Sequence, residues 1–432
     1  MKKFLSFLLV FILSITTFSG PISAFADNKD LSISSPNSVV LDYETGKVLY
    51  EKNGNKKIYP ASTTKIWTAY LVIKNVKNLD DPVEIHKDPS VDGSSMYLEK
   101  GEIFTVRELL QGLLIHSSND AAEVLAEYVS KSTKTFADLM NKEAKAIGAK
   151  NTHFNNPHGL PDKEHYTTAY DMALMAREAM SNELIREIVS TKSITFEMND
   201  TPTSKRFIKR TFFNTNKFLT STEKIQYKGK SVDIKYDIVD GIKTGYTDDA
   251  GRCLLSSAVK NGMRVISAVF KDFGTDVYVD SRTLIDYAFD NYYNQTIINK
   301  SDYTRSKRVL FTKEKELLYE PEFNYKIVLE KGSKASENYT AKVNLDYNLP
   351  VKKGDKVGTL DVYNEKTLEK TINLVAKNNL NSVFGFITEN TIVKYSLKVA
   401  LALITLFIIF IISRIIKKRQ IRKRKSNTFR RK

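Results

Sequence analysis

Two uncharged apolar runs lie near opposite ends of this chain, and they confine any globular fold to the residues between them. The first, Phe4 to about Ile15, follows the basic opening Met1-Lys2-Lys3. Ala24-Phe25-Ala26 then supplies the small-x-small pattern of a signal-peptidase site, so residues 1–26 read as a signal peptide and Asp27 as the mature start. An uncleaved N-terminal anchor is the alternative, but the apolar run is short. The second run, Val399–Ser413, is rich in Leu, Ile and Phe, and its fifteen residues fall short of the ~20 that a bilayer requires. Counting from Ile392 to Ile416, with Lys398 and Arg414 snorkelling, makes up the length. A buried core helix is the bland reading of that run. The basic residues 417–432 argue against it, because they sit where the positive-inside rule places a cytoplasmic flank. The expectation is a single-pass anchor over 392–416 in a cell membrane, with the folded part extracytoplasmic and the tail inside, against anionic lipid headgroups.

That placement also accounts for the charge. A formal net charge of +16 over 432 residues invites a nucleic-acid reading. Eleven Lys/Arg and no acid lie between Arg414 and Lys432, and Lys2 and Lys3 add two more, which leaves +3 for residues 27–413. No nucleic-acid partner is therefore expected. With 42% hydrophobic and 27% charged residues, wholesale disorder is excluded as well. The lone Cys253 forms no intramolecular disulfide, and in the run before Leu254-Leu255 it reads as a packed strand thiol.

Between the ends, Ser38–Lys52 reads strand, turn, strand around Glu44-Thr45-Gly46. Pro60-Ala61 opens a helical pattern with Ile66, Trp67, Tyr70, Leu71, Ile73 and Val76 at helical spacing. Residues 105–130 and 136–147 also read as helical, as do 168–190 with Thr168 as N-cap. Asn261-Gly262 between Leu254–Lys260 and Met263–Phe270 predicts a hairpin with a tight primed turn, and Val277–Asn291 a closing helix. Early strands, a helical middle and late strands predict an α+β or layered α/β domain over residues 27–293. Short alternating runs follow at Arg308–Thr312, Tyr325–Glu330, Tyr339–Asp346, Lys356–Tyr363 and Lys370–Leu374, predicting a small all-β domain over 294–380.

Three motifs can carry chemistry. In Ser62-Thr63-Thr64-Lys65, a Ser at a helix start and a Lys three residues on share one helix face. A Ser hydroxyl needs a neighbouring base to become a nucleophile, and a partly buried Lys of lowered pKa can serve. Alone this signal is weak, since Ser221…Lys224 and Ser257…Lys260 share the spacing. Ser117-Ser118-Asn119 follows an apolar run, so that Ser117 can relay a proton and Asn119 can grip a substrate amide. It equally reads as a polar loop. Lys243-Thr244-Gly245 sits in what reads as an exposed strand edge that can pair with an extended peptide. Lys243 and Thr244 offer donors to a carboxylate, and Gly245 permits close backbone approach.

All three, in this order, match the active-site triplet of the penicillin-recognising serine enzymes. Together with Asn156-Pro157-His158-Gly159-Leu160 and Asp240–Gly251, they make the chain resemble the low-molecular-mass penicillin-binding proteins of the D-alanyl-D-alanine carboxypeptidase type (peptidase S11-like). The resemblance runs over about Ser38–Asp290 and more weakly over the β-module. It implies a β-lactamase/transpeptidase-like catalytic domain that needs no cofactor or metal. It also implies that Ser62 attacks the penultimate carbonyl of a peptidoglycan stem peptide ending in D-Ala-D-Ala, and that β-lactams acylate the same Ser. In that scheme Lys65 takes the Ser62 proton, Ser117 passes a proton towards the leaving amine, and Asn119 binds the substrate backbone. Lys243 and Thr244, with Gly245 beside them, meet the terminal carboxylate, and the N–H groups of Ser62 and Tyr246 form the oxyanion hole. The chain departs from the family in its ending, since members often close on an amphipathic surface helix rather than a spanning one.

Other readings weigh less. His153, His158 and His165 lie close together but match no zinc-ligand spacing, Glu164 reads as a surface acid, and Trp67 reads as core. A β-lactamase would share the acylation machinery, but no deacylation motif is present. A penicillin-binding membrane sensor would need an inner effector larger than the residues after Ile416.

Overall fold

The computed structural model describes residues 31–199, 207–333, 339–384 and 391–429; the signal peptide expected at residues 1–26 lies outside them. The chain divides into two compact units. One runs to Gln295 and takes in Ile327–Ser333, and the other holds Thr296–Lys326 and the residues from Lys334 on.

The first unit begins with β1 (Asn37–Asp42) and β2 (Val48–Lys52), the strand-turn-strand expected there. A 3-10 turn, Ala61–Thr63, leads into α1 (Thr64–Asn75). A ribbon of β3 (Pro82–Glu84) and β4 (Ile103–Thr105) precedes α2 (Val106–Gln111), α3 (Asn119–Ser130), α4 (Thr133–Ala146), α5 (Ala169–Ala179) and α6 (Glu183–Ser190). Two further ribbons follow, β5 (Ser193–Asn199) with β6 (Phe207–Phe213) and β7 (Lys224–Tyr227) with β8 (Lys230–Asp233). Strands β9 (Val239–Thr247), β10 (Gly251–Lys260) and β11 (Met263–Asp272) and helix α7 (Asp276–Asn291) complete it.

One antiparallel sheet of order β2-β1-β11-β10-β9 organises these elements. Alternate residues of each strand point to opposite faces, and here both faces are covered. Val39 and Leu41 of β1, Leu255 of β10 and Ile266, Ala268 and Phe270 of β11 pack into the helical layer of α1–α6. Val40, Leu254, Val265 and Val269 pack instead with Leu284, Ile285 and Ala288 of α7. A strand covered on both faces reads as a continuous apolar run, which is what Val39-Val40-Leu41 shows. Helix α1 lies inside the helical layer against α3, α4 and α5, so Ile66, Trp67, Leu71 and Val72 are fully buried and Lys65 is buried with them. Trp67 is core, as expected: its Nε1 donates to Met140 O at 3.1 Å and its ring stacks on Tyr70.

Two helical expectations change. The stretch 105–130 is not continuous. Thr105 and Glu108 form a capping box on α2, a π turn takes over at Gly112–His116, and Ser117 ends it in the left-handed region with φ +69°. The stretch 168–190 starts with its Thr168 cap as expected, but breaks after Ala179, and Asn182 caps α6.

Beyond α7 come β12 (Tyr292–Ile298), β13 (Arg305–Arg308), β14 (Glu316–Pro321), β15 (Tyr325–Glu330), β16 (Tyr339–Leu345), β17 (Lys356–Asn364) and β18 (Thr367–Ala376). The second unit is built on the antiparallel sheet β13-β14-β18-β17-β16, whose inward residues Leu317, Val357, Leu360, Val362, Ile372 and Leu374 make a small core. The strand expected at 308–312 is displaced to Arg305–Arg308, and β14 was not expected at all. Helix α8 (Thr391–Phe429) contains the 26-residue stretch Tyr395–Gln420, long and apolar enough to cross a bilayer.

Candidate active site

Edge strand β9 and the 3-10 turn before α1 meet at the mouth of a cavity of about 450 Å³. Ser62, Ser117, Thr244, Gly245 and Tyr246 line it, together with Ser94, Thr215, Lys217, Arg252 and Tyr278. Each of the three motifs thus contributes to one cleft.

The turn that carries Ser62 is wedged between two glycines. A Cβ on Gly245 would stand 3.1 Å from the Ser62 backbone N and 3.2 Å from Pro60 O. A Cβ on Gly159 would stand 1.8 Å from Ala61 O. Ala61 itself adopts a left-handed φ of +48°, a strained conformation for a non-glycine residue, stored next to the reactive position. The missing side chain of Gly245 therefore makes room for the Pro60–Ser62 turn, a role the sequence did not indicate.

Lys65 lies one helical turn on, fully buried, and its Nζ donates to Ser62 Oγ at 2.9 Å and to His158 O at 2.8 Å. Burial is the main cause that holds its ammonium well below the ordinary lysine pKa. Repulsion from Lys243 adds to the effect, and Asp120 opposes it. Lys243 is also buried, its Nζ donating to Thr244 O at 3.0 Å, and burial pushes its pKa down to about 7. The strand edge is where the sequence places it, but the Lys243 side chain is not exposed on it. Thr244 Oγ1 shares a 2.6 Å hydrogen bond with Thr215 Oγ1.

Asn119, like the buried Lys65 and Lys243, is absent from the cavity lining; its Nδ2 donates to Asp92 O, its backbone N donates to Ser94 O at 2.7 Å, and its Oδ1 is buried without a partner. The next residue, Asp120, fixes the same strap by accepting from Ser95 Oγ (2.6 Å), Met96 N (3.0 Å), Leu98 N (3.1 Å) and Ala121 N (2.9 Å). Tyr246 turns its ring outward, donates from Oη to Asp248 at 2.9 Å and lies 4.5 Å from the Arg252 guanidinium.

The other candidates have structural partners. His165 bonds Thr64 Oγ1 at 3.0 Å and accepts from Asn155 N at 3.1 Å, and burial lowers its pKa to about 3. His153 Nδ1 contacts Glu164 O at 2.5 Å, and His158 Nε2 lies 3.7 Å from Glu123. Cys253 is buried, and burial pushes its thiol up to about 12, so no nucleophilic thiolate forms there. Among the site residues, the sequence reading gave no role to Gly159, Asp120, Thr215 or Arg252. The first stood in a motif quoted only for its resemblance, and the other three look like ordinary polar residues until the fold gathers them.

The sequence profile of the D-alanyl-D-alanine carboxypeptidases matches residues 23–274, and that of the penicillin-binding protein 5 C-terminal domain matches residues 292–382. D-alanyl-D-alanine carboxypeptidase DacF of Bacillus subtilis is 33% identical over 402 residues, covering 90% of this chain and 97% of the relative. DacC of Escherichia coli is 32% identical over 377 residues, 83% of this chain and 87% of that one. Crystal structures of penicillin binding protein 5 from Haemophilus influenzae share the fold with a TM-score of 0.58 at 28% identity, covering 82% of this chain and 99% of theirs. Neither the β-lactamase nor the sensor reading is favoured by these relatives, and the small β-sheet unit has a counterpart in the family. The chain belongs to the D-alanyl-D-alanine carboxypeptidase family, penicillin-binding serine hydrolases of cell-wall synthesis that act on D-Ala-D-Ala peptidoglycan peptides.

Proposed function

We propose that Ser62 is the acylated nucleophile and Lys65 its base, and the observation that carries this is the 2.9 Å contact between Ser62 Oγ and a fully buried Lys65 Nζ. Neutral Lys65 removes the Ser62 proton as Oγ attacks the penultimate carbonyl carbon of the stem peptide. The C–N bond to the terminal D-Ala then breaks, and Ser117 passes a proton to the departing amine. Water hydrolyses the resulting ester, releasing the shortened peptide and restoring the Ser62 hydroxyl. The N–H groups of Ser62 and Tyr246 stabilise the oxyanion. Asn119 offers its unpartnered Oδ1 to a substrate amide once the Ser94 strap yields. Lys243, Thr244 and Gly245 form the carboxylate-binding edge.

To this set we add Arg252. Lys243 is buried and its pKa is pushed down to about 7, which weakens it as a cation near neutral pH, whereas Arg252 lines the cleft beyond Thr244 with a guanidinium whose planar fork suits a carboxylate. Arg252→Ala is expected to raise KM for a D-Ala-D-Ala peptide about tenfold with little change in kcat, as the loss of one charge-assisted contact implies. The same variant should leave unchanged the already poor KM of a peptide whose C-terminus is amidated.

The proposal extends to the whole chain: residues 1–26 are a signal peptide, 27–293 the catalytic domain and 294–380 the β-domain. Residues 392–416 span the membrane, with the catalytic domain outside, and the basic tail at 417–432 lies inside against membrane lipid. The full chain in detergent is incubated with diacetyl-Lys-D-Ala-D-Ala and, separately, with a fluorescent penicillin. D-Ala release, with the penicilloyl adduct mapped by mass spectrometry to Ser62, is the expected result. Labelling at Ser62 without D-Ala release defeats the hydrolytic role, and rapid penicillin turnover turns the assignment to a β-lactamase.

A further inference from the structure

The β13–β14 hairpin ends in a turn that exposes two large apolar side chains, Leu310 and Phe311, each 68% accessible. Phe384 packs its ring 5.8 Å from that of Phe311, and Val383 N donates to Phe311 O at 2.9 Å, so the apolar cap extends to Val383 and Phe384. The turn is held rather than loose: Val309 N bonds Lys315 O at 2.9 Å, Thr312 Oγ1 bonds Val309 O at 2.8 Å, and Lys313 N bonds Asn381 O at 2.9 Å. Phe311 takes a left-handed φ of +59°, an uncommon state for an aromatic residue. Held this way, the cap presents to water an apolar patch of the kind that marks an interaction site.

Its surroundings and its place in the fold select the partner. Arg308 at the turn end of exposed β13, with Lys313 and Lys315 in the turn, place positive charge beside the cap; Glu314 is the one acid in the turn, with both its oxygens bonded to Asn381, and Glu316 faces Arg308 across the hairpin. Because β14 runs antiparallel to β18, the 309–315 turn lies at the end of the sheet where β18 finishes. The β17–β18 turn at Glu365-Lys366 lies at the opposite end. From that finishing end the chain continues through Phe384 to α8. Residues 385–390 intervene, and a fully extended chain of that length reaches at most about 25 Å.

We infer that the Leu310–Phe311–Val383–Phe384 cap is a membrane-contact surface that inserts into the headgroup region of an anionic bilayer. Apolar and aromatic side chains beside basic residues are the composition of an interfacial anchor. The inference rests on α8 spanning the membrane.

The test uses the full chain with Phe311→Cys, or Leu310→Cys as a second variant, spin-labelled in phosphatidylglycerol/phosphatidylethanolamine vesicles; Cys253 is buried and stays unlabelled. Lys366→Cys is the control. Labels at 310 and 311 are expected to gain collisions with oxygen and lose collisions with a water-soluble nickel chelate, while the label at 366 does the reverse. The difference should shrink when phosphatidylcholine replaces the anionic lipid. Labels at 311 and 366 that are equally wet in floated vesicles overturn the cap proposal and leave the anchor standing. Spin–spin broadening at 311 whatever the lipid overturns it in favour of a second copy. Failure of the chain to float with vesicles overturns the anchor and the cap together.

Discussion

Lys65→Arg is expected to lower kcat/KM for a D-Ala-D-Ala peptide by about 10⁴-fold, close to the effect of Ser62→Ala, because a guanidinium cannot take the Ser62 proton. The reasoning starts from burial. Lys65 sits on a helix enclosed by other helices, so water does not solvate its ammonium, and Lys243 repels it further. A neutral amine 2.9 Å from Ser62 Oγ is a base in place; a charged one is only a hydrogen-bond donor. The acid limb of the pH profile follows. As pH falls through the Lys65 pKa the base is protonated and kcat/KM falls. On the other side, Lys243 loses its charge as pH rises through about 7, and carboxylate binding at that edge weakens. A bell-shaped kcat/KM is expected, with Lys243→Met removing the alkaline limb.

The same group bears on stability with a definite sign. Its folded pKa is depressed below the unfolded value of about 10.4, so between those two pH values the unfolded chain binds the extra proton. Stability from this group therefore increases as pH rises across the window, and at neutral pH the buried lysine is a cost. Lys65→Met is expected to be inactive yet to melt no lower than the parent. A large drop in melting temperature would instead mean that Lys65 holds the fold, and that lost activity in its variants reports unfolding.

What the sequence discloses about this molecule follows how local each determinant is. Asn261-Gly262 dictates its own turn, with φ of +52° and +76°, and β10 and β11 form around it with only their outer ends longer than expected. Thr168 announces α5 by the same local logic, and Ser181-Asn182 carried a cap signal that the continuous 168–190 reading passed over. The break at Ser117 is different. Its left-handed backbone is imposed by the turn closing back through Ser118 N on Gly112 O, and nothing in Ser-Ser-Asn asks for it. The ribbons β3–β4 and β7–β8 have strands of only three and four residues, too few to show an alternating pattern. The burial of Lys243 escaped for a sharper reason: a lysine on an edge strand reads as solvated, and the elements packed on β9, the 3-10 turn and α6 among them, remove it from water. The triplet itself was legible because its chemistry needs particular residue types at particular spacings. Its supports, Asp120 and Gly159 above all, act through backbone contacts that spacing does not encode.

Gly159 gives the sharpest test of those supports. Gly159→Ala is expected to cost about 3–5 kcal/mol of stability, combining left-handed strain with overpacking against rigid backbone. For a domain of this size that is roughly a 10 °C fall in melting temperature. The added Cβ would lie 1.8 Å from Ala61 O, 2.4 Å from Ala61 C and 2.9 Å from Thr64 Oγ1, with φ at +92°. The two nearest are backbone atoms, so relief has to come from moving the backbone that carries Ser62. On its other side the Ser62 turn lies close to Gly245, where a Cβ would stand 3.1 Å from Ser62 N, so that strand limits how far the turn can shift. Acylation should therefore fall by more than the loss of folded protein accounts for, because His158 O, which fixes Lys65, is one residue from the substitution. Measuring penicillin acylation on the folded fraction, well below the new melting temperature, separates the two effects. An unchanged acylation rate there would show that the Ala61–Ser62 turn tolerates displacement, and that Gly159 serves the fold alone.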